Sequence, residues 1–326
     1  MTHPTDQLFL GIDIGGTKLH AVVADRRGHV LGRARKKVGK DKRFDAVIQR
    51  VDEVARTACA RASIELQDVA TVGVGAPSPV LADGTAVCAP NLGWSNVPVG
   101  PVIGRMVERP CRVANDCDAG TLAETVFGAA RGARSAVGLF MGTGLGGGIV
   151  VDGKMVCGDH HLAAEVGHMV VVRDGRRCGC GHNGCLEAYA SKTGMAARIV
   201  AAAKAGRASP LTQRREGKLP KLRAKLLARA YQDRDELAVE VIDEAAEFLG
   251  LGVGNLMTLL GPSVVVLGGG VMEAMGELLL DRVRAAAQAV TFPEAAFEHT
   301  RIELAALGDD VVALGAVALA MQEHPG

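Results

Sequence analysis

The sequence predicts an α/β protein built from two similar halves. An order of apolar runs and turns occurs twice, and each copy carries a glycine turn at the same place. Packing two such strand-rich halves is expected to leave a cleft between them. With 326 residues, the chain is long enough for two domains that each bury a core.

The first copy of the repeat lies near the N-terminus. Apolar runs over Leu8–Ile14, Leu19–Ala24 and His29–Val38 are separated by turns at Gly15–Thr17 and Asp25–Gly28. This pattern predicts three strands joined by hairpins, because turn residues stand where a positive φ is needed.

The second copy repeats that order. Runs over Ala136–Met141, Gly148–Val151 and Lys154–Cys157 are separated by turns at Gly142–Gly147 and Asp152–Gly153. The remaining segments predict further elements by their periodicity. Strands are expected at Val69–Val74 and Ser263–Leu267, and helices at Phe44–Ala62, Ala119–Phe127, Thr193–Ala205, Leu222–Tyr231, Glu236–Leu260, Met272–Ala289 and Leu314–Gln322.

Composition favours a soluble globular protein without a nucleic-acid partner. Hydrophobic residues make up 48% of the chain, charged residues 22%, and the formal net charge is +1. The basic run Arg33–Lys37 is interpreted as a solvated face. No segment reaches the roughly 20 apolar residues of a membrane span, and Met1–Gln7 does not resemble an export signal. We therefore expect a cytoplasmic protein, in which disulfides are rare.

The two glycine turns approach known phosphate-binding patterns but differ from them in context. Gly11–Lys18 ends Gly-Thr-Lys where a P-loop ends Gly-Lys-Ser/Thr, and it leads into a strand. Gly142–Gly147 contains G-x-G-x-x-G, but a strand pattern follows where a dinucleotide-binding helix would begin. Both turns still provide glycine backbone whose N–H groups could bind an anion. The alternative is that both are ordinary tight hairpins.

Polar side chains beside the turns extend the phosphate hypothesis. Thr17 and Thr143 add hydroxyl donors, and Asp13 precedes the first turn. A carboxylate at that place could hold Mg²⁺ directly or through water.

Two aspartates follow an apolar strand that ends near Asn115. Asp116 or Asp118 could act as a general base that accepts the proton of an attacking hydroxyl group. The same position also suits a simple helix N-cap, and spacing alone favours the cap.

Three cysteines lie within eight residues, at Cys178, Cys180 and Cys185. Thiolates at this spacing in a reducing compartment suit tetrahedral Zn²⁺, and His168 and His182 are nearby candidates for the fourth ligand. We favour a structural zinc site. Accidental clustering or a redox pair is the alternative.

Eight segments spread over nearly the whole chain carry a resemblance to a known family. They are Gly11–Lys18, Gly73–Pro77, Ala89–Leu92, Asn115–Asp116, Gly142–Gly148, Glu165–His168, Cys178–Glu187 and Val265–Gly270. Together they resemble the ROK family of bacterial sugar kinases and repressors, and within it the glucokinases. The resemblance implies two actin-like ATPase (ribonuclease H-like) domains. We expect them at residues 1–120 and 121–326, with the last helix packing on the first domain.

The resemblance also implies roles for single residues. Asp116 becomes the catalytic base instead of a cap. The sugar hydroxyl groups would be bound by Asn91, Asn115, Asp116, Glu165, His168 and Glu187. The nucleotide and its Mg²⁺ would be held by Asp13, Gly15, Gly16, Thr17, Lys18, Gly142, Thr143, Gly144, Gly268, Gly269 and Gly270. Zinc would be bound by His168, Cys178, Cys180 and Cys185, which leaves His182 outside the ligand set.

The implied reaction is ATP-dependent phosphorylation of a hexose, with glucose and glucose 6-phosphate as the first expectation. The implied cofactors are ATP, Mg²⁺ and Zn²⁺, and the implied partners are the hexose and further copies of this chain, as a dimer or tetramer. Neither nucleic acid nor a membrane is expected as a partner.

Other activities within the same family remain alternatives. N-acetylglucosamine, N-acetylmannosamine or fructose could replace glucose, and polyphosphate could replace ATP. We expect ATP, because Gly268–Gly270 stands where the adenosine contact is expected. A repressor would carry a helix-turn-helix domain ahead of Gly11, where this sequence has ten residues. A sugar-sensing regulator without catalysis would not need Asp13 and Asp116.

The chain departs from the usual family pattern at three places. Ser78 and Ala164 stand where glycine is usual, and Cys117–Gly120 stands where Ala-Asn-Ala-Ala is usual. None of these changes removes a group with an assigned chemical role. They therefore bear on the preferred sugar more than on the reaction.

Overall fold

The computed structural model describes residues 7–213 and 219–322. Within these ranges the strands are β1 (Leu8–Ile14), β2 (Lys18–Asp25), β3 (Val30–Lys37), β4 (Thr71–Ala76), β5 (Ala86–Ala89), β6 (Trp94–Val97), β7 (Cys111–Asn115), β8 (Ser135–Met141), β9 (Leu145–Val151), β10 (Lys154–Met155), β11 (Val264–Gly268) and β12 (Arg301–Leu304). The α-helices there are α1 (Phe44–Arg61), α2 (Val99–Val107), α3 (Asp116–Val126), α4 (Lys192–Lys204), α5 (Ala224–Gln232), α6 (Glu236–Leu260), α7 (Gly269–Gln288), α8 (Glu294–Glu298) and α9 (Val311–Met321).

Two five-stranded sheets with equivalent strand orders form the framework. The first has the order β3-β2-β1-β4-β7 and the second β10-β9-β8-β11-β12. In the first sheet, β2 is antiparallel to both β1 and β3, whereas β4 is parallel to β1 and β7. In the second, β9 and β10 are antiparallel, whereas β11 is parallel to β8 and β12. This equivalence confirms the duplicated α/β fold predicted from the repeat.

Contacts between residues group the chain into two compact units. The first contains residues 7–132, 148–164 and 306–322, and the second contains residues 133–147, 165–213 and 219–305. The chain passes from the second unit to the first within β9, and α9 belongs to the first unit. The predicted division at residue 120 stays a prediction.

In the first unit, α9 packs closely against the sheet. The helix is apolar all round, and residues Ala313 to Ala320 are all buried. A Cβ atom on Gly11 of β1 or on Gly73 of β4 would overlap a backbone carbonyl oxygen of α9. Glycine at these two positions therefore allows helix and sheet to approach closely.

A buried carboxylate connects α3 with the segment that leads into α9. Glu124 is 0% exposed, and its side chain accepts backbone N–H groups from Ala129 at 2.8 Å, Ala306 at 2.9 Å and Leu307 at 3.0 Å. Three such bonds compensate for the loss of hydration of the charged group.

Two helices begin earlier than their periodicity predicts, both next to candidate site residues. Helix α3 begins at Asp116 instead of Ala119, and α7 begins at Gly269 instead of Met272. The hairpin β5–β6, helices α2 and α8, and strand β12 were not predicted. Most of these elements are too short to show a clear period.

No described helix has the length and apolar character needed to cross a membrane.

Candidate active site

The first sheet brings several predicted site residues to one edge. Asp13 lies near the carboxyl end of β1, beside Gly75 of β4, and Ala76 of β4 lies beside Asn115 at the end of β7. Because β1, β4 and β7 are parallel, their carboxyl ends meet at the same edge, where ligands bind in many open α/β sheets. Asp116 is the next residue in the chain and the first residue of α3.

The electrostatic environment of Asp13 is unfavourable for a bare carboxylate. Burial, and next the negative charge of Asp116, raise the pKa of Asp13 to about 7, while the guanidinium of Arg35 acts in the opposite direction. A cation at this place would offset the desolvation of the carboxylate. The donor type and its surroundings therefore suit the Mg²⁺ implied by the resemblance.

Asn115, and not an aspartate, caps helix α3. Its Oδ1 accepts the backbone N–H of Cys117 at 2.8 Å and that of Asp118 at 3.4 Å. The cap role that the spacing favoured for Asp116 or Asp118 therefore belongs to their neighbour. The Asp116 carboxylate also accepts the N–H of Cys117, at 2.9 Å.

The first glycine turn lies against Asn91. The turn is closed by the N–H of Gly15, which donates to the carbonyl of Lys18 at 2.9 Å. A Cβ atom added to Gly16 would lie 3.0 Å from the Cβ of Asn91, so the two residues are in close contact. The ammonium of Lys42 donates to the Asn91 carbonyl oxygen at 2.6 Å. Thr17 and Lys18 are exposed.

The second glycine turn joins β8 to β9 and is held by the start of α4. The N–H of Gly142 donates to the carbonyl of Gly144 at 2.9 Å. Thr193 donates to the Thr143 carbonyl twice, from its N–H at 3.1 Å and from its hydroxyl at 2.8 Å. The turn is therefore held in a defined conformation by hydrogen bonds from a helix.

The glycines Gly268–Gly270 lie beside the second turn. Strands β8 and β11 are parallel neighbours, with Gly268 opposite Phe140. Gly269 has φ +85° and lies so close to Met141 that an added Cβ would be 2.7 Å from its carbonyl oxygen. Because α7 begins at Gly269, the positive end of its dipole lies at the same edge of the sheet as the turn.

Three thiols and one imidazole come together in the second unit. Ligand atoms of His168, Cys178, Cys180 and Cys185 all lie within 4.8 Å of one another. The Cys180 and Cys185 sulfurs are 3.7 Å apart, as are the Cys178 sulfur and the Nδ1 of His168. In a regular tetrahedron with Zn–S bonds of about 2.3 Å, sulfur atoms are about 3.8 Å apart. The donor set and its spacing therefore suit zinc.

The protonation of these thiols depends strongly on their position. Burial raises the pKa of Cys178 to about 12. The backbone N–H of His182 instead lowers the pKa of the exposed Cys180 to about 6. The Nδ1 of His182 lies 3.6 Å from the Cys180 sulfur. His182 does not belong to the group of four mutually close donors among the described residues.

Glu187 connects the cysteine cluster to the second glycine turn. One carboxylate oxygen accepts the N–H of Leu145 at 3.0 Å, and the other lies 3.4 Å from the Cys178 sulfur. The other two predicted sugar ligands of this unit are neighbours, with the Nε2 of His168 4.0 Å from a carboxylate oxygen of Glu165. The chain around the cluster thus also positions Glu165, His168 and Glu187.

Two residues that support the cysteine segment were not found from the sequence. The hydroxyl of Tyr189 accepts the N–H of Arg176 at 2.8 Å, and the Tyr189 ring stacks on Phe248 with centroids 4.1 Å apart. The Arg176 guanidinium lies 4.5 Å from the centre of the Tyr189 ring and pairs with Glu244 at 2.6 Å. The only available signal was that an arginine and a tyrosine flank the cysteines.

Ala164 adopts a backbone conformation that favours glycine. Its φ is +65°, immediately before Glu165. This explains in physical terms why a glycine is usual at this place in the family pattern.

The fold and the site define the class of the protein first. Two α/β units of equivalent topology, each with a glycine turn, form an actin-like ATPase fold. The crystal structure of a ROK family glucokinase from Streptomyces griseus in complex with glucose and AMPPNP matches it with a TM-score of 0.81 and 32% identity, over 97% of this chain and 100% of that one. This match confirms the predicted fold class.

Sequence comparison then identifies the family. The profile of the ROK family matches residues 9–323. A glucokinase from Streptomyces coelicolor is 34% identical over 280 residues, which cover 85% of this chain and 86% of that protein. A xylose repressor from Caldicellulosiruptor bescii is 28% identical over 317 residues, which cover 96% of this chain and 78% of the repressor. The chain belongs to the ROK family, as the resemblance implied.

Proposed function

We propose that this protein transfers a phosphoryl group from ATP to glucose, giving glucose 6-phosphate. The enzyme class is that of a hexokinase-type kinase, which follows from the family and from its glucokinase relatives. One observation carries the proposal. Asp13 and Asp116 share one sheet edge: Asp13 lies beside Gly75 of β4, and a Cβ atom added to Gly75 would lie 3.8 Å from the Cα of Asp116, while Asn115 makes the helix cap.

Asp116 is proposed to act as the general base. It would accept the proton of the attacking sugar hydroxyl as the bond to phosphorus forms. The remaining hydroxyl groups would be bound by Asn91, Asn115, Glu165, His168 and Glu187. Contacts to a set of hydroxyl groups do not distinguish glucose from every other hexose, so the choice of sugar rests on the relatives alone.

The two glycine turns and Gly268–Gly270 are proposed to hold the nucleotide. Backbone N–H groups of Gly15–Thr17 and Gly142–Gly144 would face the phosphates, and Lys18 would add a positive charge. Mg²⁺, when bound, neutralises charge on the β- and γ-phosphate oxygens, and Asp13 is the carboxylate that would hold it.

Zinc bound by His168, Cys178, Cys180 and Cys185 is proposed to be structural. By holding Nδ1 of His168, the site would fix the ring so that Nε2 can bind a sugar hydroxyl group. A homo-oligomeric state and a cytoplasmic location stay predictions from the sequence.

The test of this proposal is a sugar-dependent ADP-release assay with Mg·ATP. Glucose, N-acetylglucosamine, N-acetylmannosamine, mannose and fructose are compared, with polyphosphate as an alternative donor. We expect glucose to give the highest kcat/KM. A higher kcat/KM for another sugar would retain the mechanism and contradict glucose as the substrate.

Asp116→Asn is expected to lower kcat at least about 100-fold, because a general base contributes about 10²–10⁴-fold to the rate. The variant should still bind the sugar. Asp118→Asn is the matched control, two residues along the same helix, and it should retain most of the turnover. Near wild-type turnover in Asp116→Asn would contradict the assignment of the base.

A sugar-sensing regulator is the second candidate, because a xylose repressor matches 96% of this chain. It predicts sugar binding without ADP release from folded protein. The same assay, combined with a sugar-binding measurement, separates the two functions.

A further inference from the structure

Ser78 is a buried polar residue with a hydrogen-bond set that the proposed reaction does not use. The residue is 2% exposed. Its hydroxyl donates to the carbonyl of Pro79 at 2.7 Å and accepts the N–H of Cys88 at 3.0 Å. Both hydrogen-bonding directions of the hydroxyl are therefore occupied by backbone.

The backbone carbonyl of Ser78 contacts the asparagine at the end of β7. It accepts a hydrogen bond from the Nδ2 of Asn115 at 3.3 Å. The Oδ1 of the same amide is held by the N–H of Cys117 at the start of α3. Two contacts on opposite sides of the amide fix which way the Asn115 side chain faces, and they leave its second N–H for a ligand.

The hydroxyl of Ser78 acts on the segment that carries the other asparagine. Cys88 lies in β5, which ends two residues before Asn91. Besides the bond from Cys88, two contacts join the segment Ser78–Val80 to β5 among the described residues. The N–H of Val87 donates to the carbonyl of Pro79 at 3.0 Å, and Val80 forms a bridge with Ala86. Of the bonds from the Ser78 segment, the one to Cys88 is the closest along the chain to Asn91, which lies in the turn 90–93 between β5 and β6 and also accepts the ammonium of Lys42.

We propose that Ser78 is a positioning residue that holds Asn91 and Asn115 at a set spacing and thereby sets the affinity for the sugar. This inference rests on the proposed role of the two asparagines. A glycine at position 78 would keep the carbonyl contact to Asn115, but it would leave the N–H of Cys88 without the hydroxyl as its acceptor.

The chain contains a built-in reporter for this region. Trp94 is its single tryptophan. Trp94 is the first residue of β6, three residues after Asn91. It donates its indole N–H to the Lys42 carbonyl at 2.8 Å and packs edge-on against Phe44 with ring centroids 5.2 Å apart. Because Lys42 also contacts Asn91, Trp94 fluorescence should respond when a sugar binds.

The experiment compares Ser78→Ala, Ser78→Gly and Ser78→Thr with the wild type. The Kd for glucose is measured by Trp94 fluorescence, and the KM for glucose and for Mg·ATP by ADP release. A change of about fivefold in affinity corresponds to about 1 kcal/mol of binding free energy, which is the size of one net hydrogen bond. We expect the alanine and glycine variants to raise the glucose Kd and KM about fivefold, with kcat and the Mg·ATP KM within about twofold of the wild type. The threonine variant keeps the hydroxyl and should restore affinity.

Ser95→Ala is the matched control. Ser95 lies opposite Cys88 on β6 and is exposed, so it receives the same substitution next to the same strand. Its glucose Kd should equal that of the wild type.

Each outcome has a definite meaning. If Ser78→Ala and Ser78→Gly lower thermal stability but leave the glucose Kd unchanged, the residue is only structural and the proposal is overturned. If the wild type binds glucose without releasing ADP, the proposed function fails, but the Kd series still tests Ser78. If the wild type binds no hexose, both proposals are overturned.

Discussion

At the scale of the residue, Asp13 and Asp116 show how a site places two acidic groups where the protein alone does not stabilise both charges. The pKa of Asp13 rises from 3.8 to about 7 because of burial and the negative charge of Asp116. Carboxyl groups with shifted pKa values are frequent at catalytic sites. A cation bound here would favour the charged form of both carboxylates.

This environment makes ligand-free stability depend on pH. Because the folded-state pKa of Asp13 lies above its unfolded value, stability is greatest below pH 4 for this group and is lost as the pH rises towards 7. We expect Asp13→Asn to raise the free energy of unfolding at pH 8 by roughly 2–4 kcal/mol, since a pKa unit corresponds to about 1.4 kcal/mol. At pH 4 the effect should be small.

Urea unfolding without Mg²⁺ or nucleotide at both pH values measures this difference. The same variant should lose most of its kinase turnover, which would be a trade of activity against stability at one residue. Equal unfolding free energies of mutant and wild type at pH 8 would contradict the assigned environment of Asp13.

At the scale of the element, α9 shows how small residues decide a packing distance. Gly11 and Gly73 lie on neighbouring strands and face backbone carbonyl groups of the helix. A methyl group at either position has no space unless the helix moves away from the sheet. Backbone does not yield as a flexible side chain can, so the cost should be high.

Gly73→Ala is therefore expected to destabilise the protein by about 3 kcal/mol. Gly104→Ala is the matched control. Gly104 lies in α2, where the added Cβ would make only ordinary contacts, the closest at 3.4 Å, and alanine is the better helix former. The control should be neutral or slightly stabilising. Denaturant midpoints of the two variants test the prediction, and an equally stable Gly73→Ala would contradict the packing described for α9.

At the scale of the whole molecule, the cysteine cluster joins separate stretches of the chain. The same stretches carry the proposed sugar ligands Glu165, His168 and Glu187. Its four donors come from two short stretches separated by nine residues, and Glu187 connects it to the second glycine turn. If zinc is bound there, its removal should affect both stability and sugar binding.

We expect purified protein to contain about one zinc ion per chain, and Cys185→Ser to lose it together with at least about 5 °C in Tm. The glucose KM should rise in the same variant, because His168 would no longer be held. Cys88→Ser replaces an exposed thiol that is not one of the four clustered donors and should keep the metal. Metal analysis and thermal unfolding measure both effects, and a fully active, stable protein without metal would contradict the proposed site.

The sequence indicated most of the architecture because the relevant signals are local. Periodicity predicted strands and helices, and the repeated order of runs and turns predicted two equivalent sheets, as the strand orders confirm. The cysteine–histidine cluster was recognisable because three of its four side chains lie within eight residues. Ala164 was visible only as a departure from the family pattern, and its positive φ became apparent in the structure.

Residue order alone therefore established the duplicated fold, the glycine turns and the cysteine group, since each depends on the chemistry of neighbours in the chain. Tertiary structure decided the contacts between distant positions. The bond between Ser78 and Asn115 spans 37 residues and that between Glu124 and Ala306 spans 182. Such pairs follow from strand order and from how closely helices approach the sheet. Both are set by the packing of the whole core, and no local pattern encodes them.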